Sequence, residues 1–159
     1  MSIEVTAGRD VLRRLRNGDK LIRRGIRQGW YAVGDDWKSE ANREILRKPK
    51  GGRVYIIRTA GGRTRRHTAS APGETHANLT GALRKALSWK VRGNGTELDV
   101  GYAVAGKTEA PPYAHAIEFG KTNAPNTIEP RPSIQNAIKA TQRNAEQHLA
   151  DAVQRELEK

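Results

Sequence analysis

Cysteine is absent from the 159 residues, and methionine occurs once. The first absence excludes a disulfide framework, a thiolate metal site and a cysteine nucleophile. Aromatic residues make up only 5% of the chain, so its core must be modest and built from Leu, Ile, Val and Ala around three Trp. No apolar run approaches the roughly 20 residues of a membrane span, and the start is unlike a signal peptide. Synthesis in the cytosol and no membrane partner are therefore expected. Acid is also scarce, with 17 Asp+Glu against 29 Lys+Arg and a formal net charge of +12.

That excess is unevenly placed. Residues 1–71 hold 18 Lys+Arg and 7 Asp+Glu, whereas residues 72–159 hold 11 and 10. A length near the usual domain size predicts one domain, residues 1–159. Within it we distinguish a basic N-terminal helical region, 1–50, from a hairpin–helix–hairpin–helix module, 51–159. A net charge concentrated in one half is a statement about partners rather than about fold.

The spacing predicts a helix from about Asp10 to Leu46, with a break near Asn17-Gly18. Ile22, Ile26, Trp30, Val33, Trp37, Ala41 and Ile45 recur at steps of three and four, which makes one apolar stripe. Gly25, Gly29 and Gly34 each weaken a helix by about 1 kcal/mol relative to Ala, and close helix packing is the compensating use. Val54–Thr59 and Arg63–Thr68 read as a hairpin about Ala60-Gly61-Gly62, with a basic, exposed tip. Residues 69–78 have loop composition. A short helix over Thr80–Leu87 places Leu79, Leu83 and Leu87 together. Ser88–Arg92 and Thr96–Val104 form a second hairpin about Asn94-Gly95, residues that tolerate positive φ.

Tyr113–Phe119 is a short apolar segment between loops 105–112 and 120–132, and is either helix or strand. The last helix spans Ser133–Leu157, with Ile134, Ile138, Ala145, Leu149 and Val153 as its buried stripe and Ser133 as its N-cap. The fold class is α+β: long N-terminal and C-terminal helices packed on an antiparallel sheet of β-hairpins.

Chemistry is sparsely represented. His67, His76, His115 and His148 do not show metal-ligand spacing; His115 and Glu118 share one helical face, but no second pair completes a site. Ser70 lacks the Gly-x-Ser-x-Gly elbow, and no glycine cluster has the phosphate-cradling pattern. A hydrolase using His67 or His115 is the weakest reading. No catalytic residue, metal or cofactor is expected. Glu118 stands in an apolar setting where a lone carboxylate is costly, so it should accept from backbone N–H groups or from an Arg.

Four segments in order carry a resemblance. They are Ser70-Ala71-Pro72-Gly73-Glu74, Leu79-Thr80-Gly81-Ala82-Leu83-Arg84, Tyr113-Ala114-His115-Ala116-Ile117-Glu118-Phe119-Gly120 and Arg131-Pro132. Together they resemble the neck and tail-completion proteins of tailed double-stranded DNA phages, the putative tail-component family related to minor tail protein Z. Ile128-Glu129-Pro130-Arg131-Pro132 departs from the Pro-Phe-Leu often found there, and the first 50 residues match only in being helical. The resemblance implies a non-catalytic virion protein, made in the host cytoplasm. It would form a ring in the neck, between portal or adaptor proteins and the tail-tube or terminator proteins. Six or twelve copies are implied.

On that view Gly81 and Gly120 serve tight backbone geometry. Leu83, Tyr113, Glu118, Phe119 and Arg131 join core to subunit interface, and segments Arg53–Thr68 and Ala105–Pro112 reach neighbours. Arg23, Arg24, Arg27, Arg63, Arg65 and Arg66 would face acidic subunits or the DNA passing through the ring. The alternative is a small basic DNA-binding protein whose N-terminal helix contacts phosphates, without a recognised sequence-reading motif.

Overall fold

The computed structural model describes residues 9–47, 49–78, 80–106, 109–122 and 127–159, and their side chains from Asn17 onward. Leu79 and Pro125, which the sequence placed in a helix face and a loop, lie outside the described residues. Helix α1 is Arg9–Leu46, followed by strands β1, Val54–Arg58, and β2, Thr64–Thr68. A five-residue helix α2, Ala82–Ala86, leads into β3, Leu87–Arg92, a 3₁₀ turn over Gly93–Gly95, and β4, Glu97–Tyr102. Helices α3, Ala114–Phe119, and α4, Ser133–Leu157, complete the chain.

The class is α+β, as expected. The two hairpins stay apart as separate antiparallel sheets of two strands, β1–β2 and β3–β4. The expected break at Asn17-Gly18 does not occur, and α1 runs through it without interruption. Nothing lies within 4 Å of where a Gly18 side chain would begin, so no packing forces a kink there.

Helices α1 and α4 run antiparallel, and glycine brings them together. A Cβ on Gly25 would lie 2.6 Å from Val153 Cα, and one on Gly29 would lie 2.9 Å from Leu149 Cα. Gly34 instead seats the indole of Trp89 from β3, whose Nε1 donates to Asp35 at 3.1 Å. Each of the three glycines thus sits where a side chain would hold two elements apart.

Trp37, Ala41, Ile45, Leu87 and Ala137 form the buried core, with Trp89, Val100, Tyr102 and Ile134 against it. The α1 stripe is buried from Val33 onward, while Ile22 is exposed. The α4 stripe needs correction. Its buried residues are Ser133, Ala137, Thr141, Ala152 and Glu156, and Ile138 is 44% exposed. Ile134 still packs on the core, and Leu149 and Val153 are partly buried where they meet Gly29 and Gly25, so the small residues lie on α1 at this close approach.

Candidate functional site

Three of the four segments that carry the resemblance meet at the start of α4. Gly73 N–H donates to Pro130 O at 3.1 Å, and Arg131 N–H donates to Ile117 O at 2.7 Å. Glu118 Oε2 accepts from Ser133 N–H at 2.9 Å, and its Oε1 accepts from Ile134 and Gln135 N–H at 2.9 and 3.2 Å. This carboxylate is only 1% exposed. It takes the place of an N-cap, satisfying three orphan donors and meeting the positive end of the helix dipole.

Ser133 is therefore not the N-cap expected of it. Pro132 occupies that position without a capping side chain, and Ser133 is the first helical residue. Its hydroxyl instead meets His76 Nδ1 at 2.6 Å. Burial, with the charges of Lys50 and Arg131 adding to it, holds the His76 pKa down at about 4, so this ring is neutral at pH 7. Tyr102 lies close by, and burial beside Glu118 pushes its phenol above the usual tyrosine range. Ser133, His76 and Glu118 do not line up as a serine–histidine–acid relay. The carboxylate is occupied by backbone donors, and among the described residues His76 Nε2 has no hydrogen-bond partner.

The buried histidine has a measurable consequence. Its folded pKa lies below its unfolded value near 6.5, so the folded state binds fewer protons, and stability falls as pH drops from about 6.5 towards 4. Between pH 7 and pH 5 this linkage should remove about 2 kcal/mol. Urea titrations at both values should show that loss, and His76→Gln should flatten it. An unchanged pH profile in the variant would assign the loss to other groups.

Other residues of the resemblance divide between backbone geometry and surface. Gly81 and Gly120 both have positive φ, 79° and 81°, and a Cβ on Gly120 would meet Ile128 O at 2.9 Å. Leu83 is buried. With Gly81, Tyr113 and His76 it lines a cleft of about 250 Å³. Tyr113 and Phe119 are exposed, and His115 packs on Phe119 with ring centroids 4.8 Å apart. Arg131 is half-buried.

The basic residues separate into two groups, which the sequence did not distinguish. On α1, Arg23 Nε reaches Asp19 at 2.9 Å, Arg24 Nε lies 3.3 Å from the buried Glu156, and Arg27 Nε donates to Tyr31 Oη at 3.2 Å. Arg43 and Arg47 pair with Glu40 and Glu44. The β1–β2 hairpin is different. Arg53, Arg58, Arg63, Arg65 and Arg66 are all exposed, and among the described residues none of them contacts a carboxylate.

This hairpin is an arm. Both of its outer edges are unpaired, and Ile56 is 80% exposed. A groove of about 600 Å³ separates β2 from the end of α1, floored by Ile45, Leu46 and Pro49. Only the root of the arm is fixed. Gly51 N–H donates to both Glu74 carboxylate oxygens at 3.0 and 3.2 Å, and Ala71 N–H donates to Glu74 at 2.8 Å. These backbone donors hold the Glu74 carboxyl below its usual range. Lys50 Nζ ties the same root to Glu44 O and to Thr75. Sequence reasoning missed this anchorage; the only local signal was Glu74 three residues after Ala71, an acceptor placed to close a turn.

Among the described residues no three His, Asp or Glu side chains gather as a metal site would require, and no helix is long and apolar enough to cross a membrane. Comparison with known proteins finds no family model, curated protein or solved structure that matches the chain.

Proposed function

We propose that the protein is a structural subunit of the neck of a tailed double-stranded DNA phage, joining or completing the head–tail connection as a homo-oligomeric ring. The observation that carries this reading is a long helix that outruns its own fold. Helix α4 ends beside Arg24, where Glu156 and Lys159 close the contact, and Gly95 at the tip of the β3–β4 hairpin lies against Arg27 of α1. Residues Arg9–Asp19 add about 16 Å of helix before Lys20 at 1.5 Å per residue. An isolated helix end of that length is marginal in water, which favours a neighbouring subunit beside it. Ile22 and Ile26 stand one helical turn apart at this end of α1, and Ile22 is exposed.

The resemblance of residues 69–132 to tail-completion proteins supplies the biological setting. Exposed Tyr113 and Phe119 at α3 add a second apolar surface suited to a head-to-tail contact, the type of interface that closes into rings. On this reading the ring meets portal or adaptor proteins on one side and tail-tube or terminator proteins on the other, within the virion. Its chemistry is contact rather than catalysis.

Native mass spectrometry and light scattering on the full chain test the reading. A closed species of six or twelve copies is expected, and Ile22→Lys should shift it towards monomer without lowering the melting temperature. A strict monomer across the accessible concentration range, which also fails to join portal or tail complexes, would overturn it.

A further inference from the structure

We infer that the β1–β2 arm is a nucleic-acid-binding ribbon that contacts the phosphates of duplex DNA with arginines on both of its faces. The inference stands independently of ring formation. Residues 51–68 contain five arginines and no acid, and all five are exposed without a carboxylate partner among the described residues. Several exposed cations elsewhere, Arg23, Arg24, Arg43, Arg47 and Arg92, each have a carboxylate beside them, and those without one, such as Lys20, Lys139 and Arg143, are spread over the helices rather than gathered on one element. Five guanidiniums on one small hairpin make a concentrated positive potential, which attracts a polyanion and releases the small counterions it would otherwise hold.

The distribution of charge favours a groove over a flat acidic surface. Strand pairing is Val54↔Thr68, Ile56↔Arg66 and Arg58↔Thr64 on one face, and Tyr55↔His67 and Ile57↔Arg65 on the other. Alternation therefore places Arg58 and Arg66 on one face, and Arg65 with the flanking Arg53 and Arg63 on the opposite face. An acidic protein neighbour would meet one face and leave the other charged and bare. The major groove of B-DNA, about 12 Å wide, admits a two-stranded ribbon and has a phosphate backbone along each side. Five residues per strand give a ribbon about 17 Å long, a reach that spans several phosphates.

Ile56 fits the same arrangement. It lies between Arg58 and Arg66 on one face, the position from which an apolar side chain meets sugars and thymine methyl groups. Contacts of this kind give affinity without a sequence code. The arm stands off the core, so a groove can enclose it without disturbing the fold. Arg23, Arg24 and Arg27, occupied within the chain, are not part of the site.

The test is fluorescence anisotropy of a mixed-sequence 20-base-pair duplex as a function of salt. The wild-type chain should show a log–log salt slope of about −3 to −4.5, from three to five phosphate contacts. Arg63→Gln/Arg65→Gln/Arg66→Gln should weaken binding by about tenfold or more at 0.1 M salt and reduce the slope by about 2.7. The triple Lys version should retain most of the affinity. Lys20→Gln/Lys139→Gln/Arg143→Gln removes the same charge from exposed helical positions and should change binding by less than about twofold. Equal losses from the two Gln triples would overturn the proposal, as would no duplex binding at 50 mM salt. Capture of polyglutamate but not duplex would overturn it in favour of an acidic protein partner. Light scattering on the same samples separates this result from the assembly reading: a monomer whose arm variant loses DNA supports the ribbon and removes the ring.

Discussion

Glu118→Ala should be among the most destabilising single substitutions in this chain. The side chain accepts three hydrogen bonds from the first turn of α4 and is almost completely buried. Alanine leaves Ser133, Ile134 and Gln135 N–H without their acceptor and removes a negative charge from the helix N-terminus. Loss of an ordinary N-cap costs about 1 kcal/mol, and each buried unsatisfied donor costs a further 1–3 kcal/mol before relaxation or water entry. A net loss of about 3 kcal/mol is expected, which in a chain of this length lowers the melting temperature by roughly 6–12 °C. Glu118→Gln keeps an acceptor oxygen but turns an amide N–H₂ towards backbone donors and loses the charge, so it should fall between wild type and Ala. Hydrogen exchange at the three amides should quicken in both variants. An Ala variant that melts within a degree of wild type, with those amides still protected, would show that another group caps the helix.

The second large effect is a change of sign within one helix. Gly18→Ala, Gly25→Ala and Gly29→Ala make the same chemical change in α1. At Gly18 the new methyl meets nothing within 4 Å, so better helix propensity should add up to about 1 kcal/mol of stability. At Gly25 the methyl lands 2.6 Å from Val153 Cα and 3.0 Å from Ala152 O. At Gly29 it lies 2.9 Å from Leu149 Cα and 3.2 Å from His148 O. These neighbours are backbone and cannot rotate away, so the helices must separate along the whole contact. Overpacking of this kind costs about 1–3 kcal/mol, more than the gain in propensity. Thermal melts of the three variants should place Gly18→Ala above wild type and the other two below it. If all three shift the same way, propensity rather than helix approach controls these positions.

Much of the architecture was legible because it is written at short range. Val33, Trp37, Ala41 and Ile45 recur at helical spacing, and their face is buried. Asn94 has the positive φ, 57°, expected of a hairpin turn. The solvent face of β1–β2 was readable from arginine content alone. Helix α4 shows where such reading ends. Leu149 and Val153 of the expected stripe do meet Gly29 and Gly25, and Ile134 packs on the core, yet Ile138 is exposed and the fully buried positions are Ser133, Ala137, Thr141, Ala152 and Glu156. The role of Glu118 as an acceptor for backbone N–H followed from the cost of burying a bare carboxylate. That its partners would be the first turn of α4, rather than an Arg, did not follow.

By itself, then, the sequence determined the order of the elements and the type of all but the Tyr113–Phe119 segment, which folds as helix α3, together with the basic character of the first half and the need of Glu118 for donors. Periodicity, turn chemistry and desolvation cost act within a few residues and are readable there. Only the tertiary structure decided which of the cations are available to a partner. Arg24 meets Glu156 because two antiparallel helices dock through glycine, bringing together groups far apart in the chain. The arm arginines, on a hairpin that contains no acid of its own, meet no carboxylate among the described residues.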